Sequence, residues 1–252
     1  MKVFVLFFLF SIMLISLPVF SSDEPSNIFL EANQAYNKGD YDGAISLYEK
    51  LLNSGIRNGL LYYNLGNCYF RKGETGRAIF NYKNGKLYSP RDEDLTANLN
   101  YARQNIKDRT EIKDPEIRRR IFFWYYSLNL KELFMIFLVF NGIFWISAIL
   151  KIFKPLPLLR AVFFVSLFIM LSSGISAATK FYVMENLKDG VVLAEEVSVR
   201  SGNSSNDTIL FKLHEGTEIE ILDESDGWLK IKLPHGSKDM RGWVEKGFVG
   251  IV

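Results

Sequence analysis

Two long apolar runs without charged residues, 133–150 and 161–179, constrain the fold of this 252-residue chain more than any other feature. Each run is close to the ~20 residues that a helix needs to cross the ~30 Å hydrocarbon core of a bilayer. The connector between them, residues 151–160, is too short to form a domain. The sequence therefore predicts a two-helix transmembrane hairpin whose flanking segments lie on the same side of the membrane.

Two signals predict how the hairpin is oriented. Residues 1–21 combine a basic start, an apolar centre and small residues at the end, which is typical of a secretory signal peptide; an uncleaved anchor is the alternative. The connector carries Lys151, Lys154 and Arg160 and no acidic residue, and short loops rich in Lys and Arg stay in the cytoplasm. Residues 118–120, three arginines, argue against this orientation, but the signal precedes them. We therefore expect both soluble parts outside the cytoplasm.

Basic residues are concentrated beside the predicted membrane segment. Residues 115–160 contain seven basic and two acidic residues, and anionic lipid attracts such an excess. Residues 114–132 also include the aromatic run 122–126, so we predict an interfacial juxtamembrane segment; a helix end packed on the soluble domain is the alternative. Neither soluble part is basic enough to indicate a nucleic-acid partner.

Residues 22–113 contain an internal repeat. Four positions carry it: Ala32, Gly39, Ala44 and Tyr48 recur, at one constant spacing, as Gly66, Gly73, Ala78 and Tyr82. Small residues fit where two helices touch, and glycine tolerates the backbone angles of a tight turn. Pro90 ends the fourth helix, and residues 92–107 predict a closing helix. The pattern predicts an all-α solenoid of about five helices.

This repeat resembles the tetratricopeptide family, whose helix-turn-helix unit has the same length, about 34 residues. The second copy, with Tyr62, Leu65, Tyr69 and Pro90 also at family positions, matches better than the first copy, which departs at Glu31. The resemblance implies a concave, partner-binding groove lined by the first helix of each pair. Its residues are Phe29, Asn33, Tyr36, Tyr63, Asn67, Phe70, Arg71 and Tyr101. In peptide-binding members an Asn at the Asn33 and Asn67 positions binds the ligand backbone. The alternative is that the aromatic residues only pack the helices together.

Residues 190–252 have a different pattern, in which short alternating runs are separated by turn residues. Five runs predict strands of a small all-β barrel: 197–200, 209–213, 218–222, 228–233 and 242–244. The runs resemble bacterial SH3-like domains, although Ser198 and Asn203 depart from the family's first motif. That resemblance implies binding of cell-wall glycopeptide or protein segments. Trp228 and Trp243 are a candidate binding surface; the alternative places one of them in the core.

The chain offers no residues for catalysis, a cofactor or a metal site. The single cysteine, Cys68, excludes an internal disulfide and is expected in the helical core. His214 and His235 fall in turns and are expected at the surface. No nucleophile–base pair, metal-ligand spacing or phosphate-binding loop is present in the sequence, so a hydrolase is disfavoured.

The order of these parts, over nearly the whole chain, resembles the BatE family of the bacterial Bat aerotolerance operon. The resemblance implies a non-catalytic inner-membrane protein with its soluble domains in the periplasm. It also implies partners: von Willebrand factor A-domain membrane proteins and a MoxR-type ATPase system, in tolerance of oxygen or other envelope stress. Two functions follow as hypotheses, a scaffold that binds a partner through the helical groove and a peptidoglycan-binding protein acting through the SH3-like domain.

Overall fold

The computed structural model of the protein describes residues 24–108, 116–154, 156–186, 188–234 and 240–252. The predicted signal peptide, His235 and the first two residues of the predicted juxtamembrane segment lie outside these ranges. The chain forms two compact units. One unit contains residues 131–178, and the other combines residues 27–130 with residues 179–252.

The helical block, which we define as residues 24–108, contains five helices. They are α1 (Glu24–Asn37), α2 (Tyr41–Asn53), α3 (Gly59–Arg71), α4 (Thr75–Tyr88) and α5 (Glu93–Gln104). Gly39 and Gly73 make the turns inside the two helix pairs with φ of 81° and 83°, a left-handed conformation that favours glycine. Asp40 caps α2 by accepting a hydrogen bond from the backbone N–H of Gly43 at 2.9 Å.

Equivalent positions of the repeat form the core of the helical block. Ala32, Ala44 and Ala78 are fully buried, and Tyr48 and Tyr82 are almost fully buried. Cys68 is also buried, which confirms the sequence prediction. Burial raises the pKa of its thiol to about 12, so the thiol stays protonated and unreactive at neutral pH.

The β-domain, which we define as residues 188–252, is one antiparallel sheet. Its strands are β1 (Lys188–Val192), β2 (Glu196–Arg200), β3 (Ile209–His214), β4 (Glu218–Ser225), β5 (Trp228–Lys232), β6 (Arg241–Glu245) and β7 (Val249–Ile251). The strand order is β3-β2-β6-β5-β4-β1-β7. Leu229, Ile231 and Val244 are fully buried and lie at the centre of its core. The five predicted runs correspond to β2–β6, whereas β1 and β7, which pair with each other, were not predicted.

Four helices follow the helical block before the β-domain begins. They are α6 (Glu116–Ile121), α7 (Phe123–Ser127), α8 (Leu130–Phe153) and α9 (Pro157–Asn186). Helices α8 and α9 are long and apolar enough to cross a membrane, which is compatible with membrane association. Within the first unit they pack closely: the rings of Phe144 and Phe163 are 4.9 Å apart, and a Cβ at Gly174 would lie 3.0 Å from the ring of Phe137.

The β-domain packs directly on the helical block. Val191, on β1, is fully buried within the same apolar cluster as Ile79 and Ile106. Gly250, on β7, lies against Phe80 of α4, and a Cβ at this glycine would come within 2.7 Å of the ring. The helical block and the β-domain therefore share a buried interface, and we call the unit that contains both of them the soluble unit.

The β-domain also completes the N-terminus of α4. The N-cap residue of this helix, Glu74, makes no side-chain cap hydrogen bond, unlike Asp40 in the first pair. Instead the backbone N–H of Gly76 donates to Glu215 Oε1 at 2.8 Å. A Cβ at Gly76 would lie 2.5 Å from the carbonyl oxygen of Val192, so only glycine permits this approach. The backbone of α4 therefore packs directly against the backbone of the β-domain at Gly76.

Candidate functional site

The two asparagines predicted to line the groove hold equivalent hydrogen bonds. Asn33 Oδ1 accepts from Tyr48 Oη at 2.6 Å and from Asn64 Nδ2 at 3.0 Å. The second copy of the repeat has the same geometry: Asn67 Oδ1 accepts from Tyr82 Oη at 2.7 Å and from Asn98 Nδ2 at 2.9 Å. Helix α5 therefore supplies an amide donor, Asn98, to the second helix pair, as α3 supplies Asn64 to the first pair.

This arrangement fixes both amide groups in one orientation. Two donors occupy each side-chain oxygen, and within the described residues neither Asn33 Nδ2 nor Asn67 Nδ2 donates to a protein acceptor. An amide nitrogen carries two N–H donors, and a peptide carbonyl is their ordinary acceptor. The geometry thus leaves two pre-oriented donor groups on α1 and α3, the first helices of the two pairs, which suits an extended peptide backbone.

Burial supports the orientation of these amides. The hydroxyl of Tyr48 must donate to Asn33, because burial raises the pKa of Tyr48 to about 12 and keeps it protonated. Burial likewise raises the pKa of Tyr82 above its ordinary value. Neither hydroxyl loses its proton near neutral pH, so the asparagine oxygens stay occupied.

The aromatic residues of the predicted groove divide into packing residues and exposed residues. Phe29 packs against Tyr48 with ring centroids 5.8 Å apart, and Tyr63 takes the equivalent place against Tyr82 at 6.3 Å. For these two residues the packing alternative describes the structure. Tyr101, in contrast, is 58% exposed on α5, where its ring meets the edge of Phe70 at 5.6 Å.

Tyr36 and Arg71 are two further residues of the predicted groove. The neighbouring hydroxyl of Tyr36 raises the pKa of the Arg71 guanidinium above its ordinary value, and a guanidinium is positively charged at any physiological pH. Arg71 itself is exposed, whereas Tyr36 and Phe70 are partly covered by the core. The groove can therefore offer one cation and aromatic edges beside the two amides.

A buried ion cluster joins α4 and α5 to the β-domain. Glu218, which is 3% exposed, receives hydrogen bonds from Arg103 Nε at 2.6 Å and from Arg103 Nη2 at 3.0 Å. Lys83 Nζ lies 2.9 Å from Glu218 Oε2 and 3.2 Å from Asp189 Oδ2. Burial alone would raise the pKa of Glu218, but the two cations outweigh it and hold that pKa below its ordinary value.

A second polar cluster closes the end of the same interface. Asp108 accepts hydrogen bonds from the backbone N–H of His214 at 2.8 Å and from Thr217 Oγ1 at 3.1 Å, and it faces His214 Nδ1 at 3.0 Å. The side chain of His214 is 20% exposed. The prediction of a surface histidine in a turn was wrong here, because His214 is the last residue of β3 and the end of the helical block covers most of its side chain.

The outer face of β5 and β6 carries the two tryptophans of the β-domain. Leu229 and Val244 point into the core, so the alternation of the strands places Trp228 and Trp243 on the opposite face. Both tryptophans are half-buried, and the alternative that places one of them in the core was wrong. Lys230 lies in register with Trp243, with its Nζ 5.8 Å from the ring centroid.

An open groove of about 230 Å³ lies beside these tryptophans. Six residues line it: Glu196, Val197, Ser198, Arg200, Glu245 and Phe248. Arg200 pairs with Trp243 in the sheet, and its Nη1 donates to the carbonyl oxygen of Asp207 at 2.8 Å. Charged, hydroxyl and aromatic groups thus meet on one face of the β-domain.

The described residues contain no group of three His, Cys, Asp or Glu side chains arranged to hold a metal ion. Sequence reasoning did not find the residues of the interface, namely Lys83, Arg103, Asp108, Glu215 and Glu218. One signal was available: Asp42 of the first repeat is replaced by Gly76 in the second, at the place where the β-domain approaches α4.

Residues 195–250 match the family model of the bacterial SH3 domain. The match confirms the predicted SH3-like domain, and it is compatible with a location in the cell envelope. No curated protein matches the chain. The tetratricopeptide and BatE resemblances stay predictions.

We predict that acid weakens the interface through Glu218. Because its pKa is lowered in the folded protein, its contribution to stability is complete above the ordinary carboxyl pKa of 4.5 and is lost as the pH falls below that value. Hydrogen exchange of the β4 amides, corrected for intrinsic rates, should show a free energy of opening that decreases in this range.

Substitution separates this effect from general acid sensitivity. Glu218→Gln leaves Arg103 and Lys83 without their buried counter-charge, so it should cost about 3 kcal/mol at neutral pH and flatten the acid dependence. Glu220→Gln is the matched control, because its carboxylate is half exposed and 3.8 Å from Lys232, and should cost less than about 1 kcal/mol. Equal costs for the two variants would show that the buried ion cluster does not hold the interface.

Proposed function

We propose that this protein is a non-catalytic, membrane-anchored scaffold of the bacterial cell envelope that binds an extended segment of a partner protein in its helical groove. The observation that carries the proposal is the pair of equivalent asparagines, Asn33 and Asn67, whose oxygens are occupied inside the protein while their N–H groups remain available. Such spaced donors match the carbonyls of an extended chain and need no particular side-chain sequence.

The exposed groove residues would make the groove selective for particular ligand side chains. Arg71 favours a carboxylate on the ligand, and Tyr101 with Phe70 offers an aromatic surface for an apolar side chain. We therefore expect a ligand segment with an acidic and an apolar residue. The tetratricopeptide resemblance supports the groove as the binding surface.

The membrane-length helices and the SH3 match support the proposed location of the scaffold. Helices α8 and α9 would anchor the protein in the bacterial inner membrane, and the signal pattern with the basic connector favours the periplasm for the soluble unit. The BatE resemblance supplies the partner class: von Willebrand factor A-domain membrane proteins that work with a MoxR-type ATPase system in aerotolerance or envelope stress. No cofactor or metal is required for this role.

Asparagine-to-aspartate substitution tests the groove without disturbing the core. Asn33→Asp/Asn67→Asp keeps the oxygens that accept from Tyr48 and Tyr82 but removes the outward donors, whereas alanine would also break the inner hydrogen bonds. Two lost hydrogen bonds of about 1 kcal/mol each predict at least a tenfold loss of the proteins recovered by crosslinking and purification from membranes. Asn53→Asp/Asn206→Asp, with the same charge change at exposed sites, should recover wild-type amounts. Undiminished recovery with the folded groove variant would remove the groove from the proposal.

The second candidate function is peptidoglycan binding by the β-domain. The face that carries Trp228, Lys230 and Trp243 beside the open groove favours it, since stacked rings and charged groups suit sugars and short peptides. The matched bacterial SH3 domain gives this candidate weak further support.

Sedimentation of the full-length, solubilised protein with purified sacculi tests the second candidate. Trp228→Ala/Trp243→Ala should reduce the sedimented fraction about tenfold, because buried aromatic contacts contribute more than about 1 kcal/mol each at binding sites. Tyr101→Ala, which removes an exposed ring from the helical groove, should leave it unchanged. Wild-type protein that stays in the supernatant would eliminate this candidate and leave the scaffold proposal intact.

A further inference from the structure

The short helices α6 and α7 expose large apolar side chains to a degree that is unusual for a soluble surface. Four residues in a row of seven positions are concerned, with exposed fractions between 49% and 73%: Ile117, Ile121, Phe122 and Phe123. Contiguous exposed apolar side chains of this size indicate a binding surface rather than chance. We call these residues, with Arg118 and Arg120, the collar.

The collar combines apolar and cationic groups. Arg118 and Arg120 are exposed between Ile117 and Ile121. A guanidinium binds phosphate with paired, charge-assisted hydrogen bonds, while apolar side chains at the same place favour a non-aqueous environment. A membrane surface offers both, because it contains phosphate groups for the arginines and hydrocarbon for the apolar side chains.

Hydrogen bonds to α4 and α9 hold the residues that directly follow the collar. Lys180, near the end of α9, donates from Nζ to the carbonyl oxygens of Tyr125 at 3.0 Å and Leu128 at 2.6 Å. Asn129 Nδ2 donates to the carbonyl oxygen of Tyr88, the last residue of α4, at 2.9 Å. Helix α7 is thus held against the C-terminal part of α9, within the same compact unit.

The position of the collar in the chain, just before the first membrane-length helix, indicates what binds to this surface. The first membrane-length helix begins at Leu130, only seven residues after Phe123, so the collar lies within reach of the headgroup region. Aromatic side chains favour that level, and residues 115–132, on the collar's side of the first membrane-length helix, hold four basic against two acidic residues, an excess that is complementary to anionic headgroups.

We propose that the collar binds anionic phospholipid at the membrane surface, with Arg118 and Arg120 on the phosphates and Ile117, Ile121, Phe122 and Phe123 at the edge of the acyl chains. This function is separate from partner binding in the helical groove and from peptidoglycan binding.

Hydrogen exchange of the full chain in vesicles tests the proposal. The amides of residues 117–123 should exchange at least about tenfold more slowly when about one third of the phosphatidylcholine is replaced by phosphatidylglycerol, because both arginines are attracted to an anionic surface. Arg118→Gln/Arg120→Gln should abolish this difference. Lys38→Gln/Lys50→Gln, with the same change of charge at exposed sites of the helical block, should retain it.

Three results would overturn the proposal, and each has its own meaning. Equal exchange in the two lipid mixtures would show that the collar does not recognise anionic lipid. Equal slowing by inorganic phosphate added to phosphatidylcholine vesicles would indicate a site for free phosphate. Equal protection in detergent without lipid would show that protein covers the collar. Unchanged exchange of the β4 amides in the arginine variant confirms that the soluble unit remains folded.

Discussion

The buried ion cluster of Glu218, Arg103 and Lys83 determines how the β-domain packs on the helical block. A carboxylate that is 3% exposed would be strongly unfavourable alone, and only close cations compensate for its desolvation. These cations come from two different helices of the helical block, while the carboxylate begins β4. The cluster therefore favours one way of placing the sheet on α4 and α5, and the close backbone contact at Gly76 leaves no room for a side chain there.

This interface has a consequence for both proposed binding surfaces. The asparagines of the helical groove and the tryptophan face of β5 and β6 belong to one compact unit rather than to two modules on a flexible linker. A partner bound in the groove and a ligand bound on the β-domain would thus be held in a fixed geometry. Such rigidity suits a scaffold, whose role is to hold other molecules in place.

Much of this structure could be predicted from the sequence because its signals are local. The constant spacing of the repeat located the turns at Gly39 and Gly73, and the alternating runs located β2–β6. The candidate site in the helical block was only partly predictable. The tetratricopeptide resemblance implied Asn33 and Asn67, but their inner hydrogen bonds depend on Tyr48 and Tyr82 of the second helices.

The interface could not be predicted, because it depends on contacts between distant segments. Glu218 and Glu220 alternate with isoleucines and look like equivalent solvent-facing residues in the sequence. Docking of the helical block covers only Glu218. Strands β1 and β7 likewise depend on distant partners, because β1 pairs with β4 and with β7, which comes from the opposite end of the β-domain.

A distance measurement by double electron–electron resonance tests most directly whether the helical block and the β-domain form one body. Spin labels at Asn53→Cys and Asn206→Cys, both exposed, would report on the two parts in full-length protein that also carries Cys68→Ala. A single narrow distance distribution is predicted. Gly76→Ala should broaden it, because the added Cβ meets the backbone of β1, whereas Gly247→Ala, which has open space, should not. A broad distribution in the protein without either glycine substitution would contradict the docked arrangement.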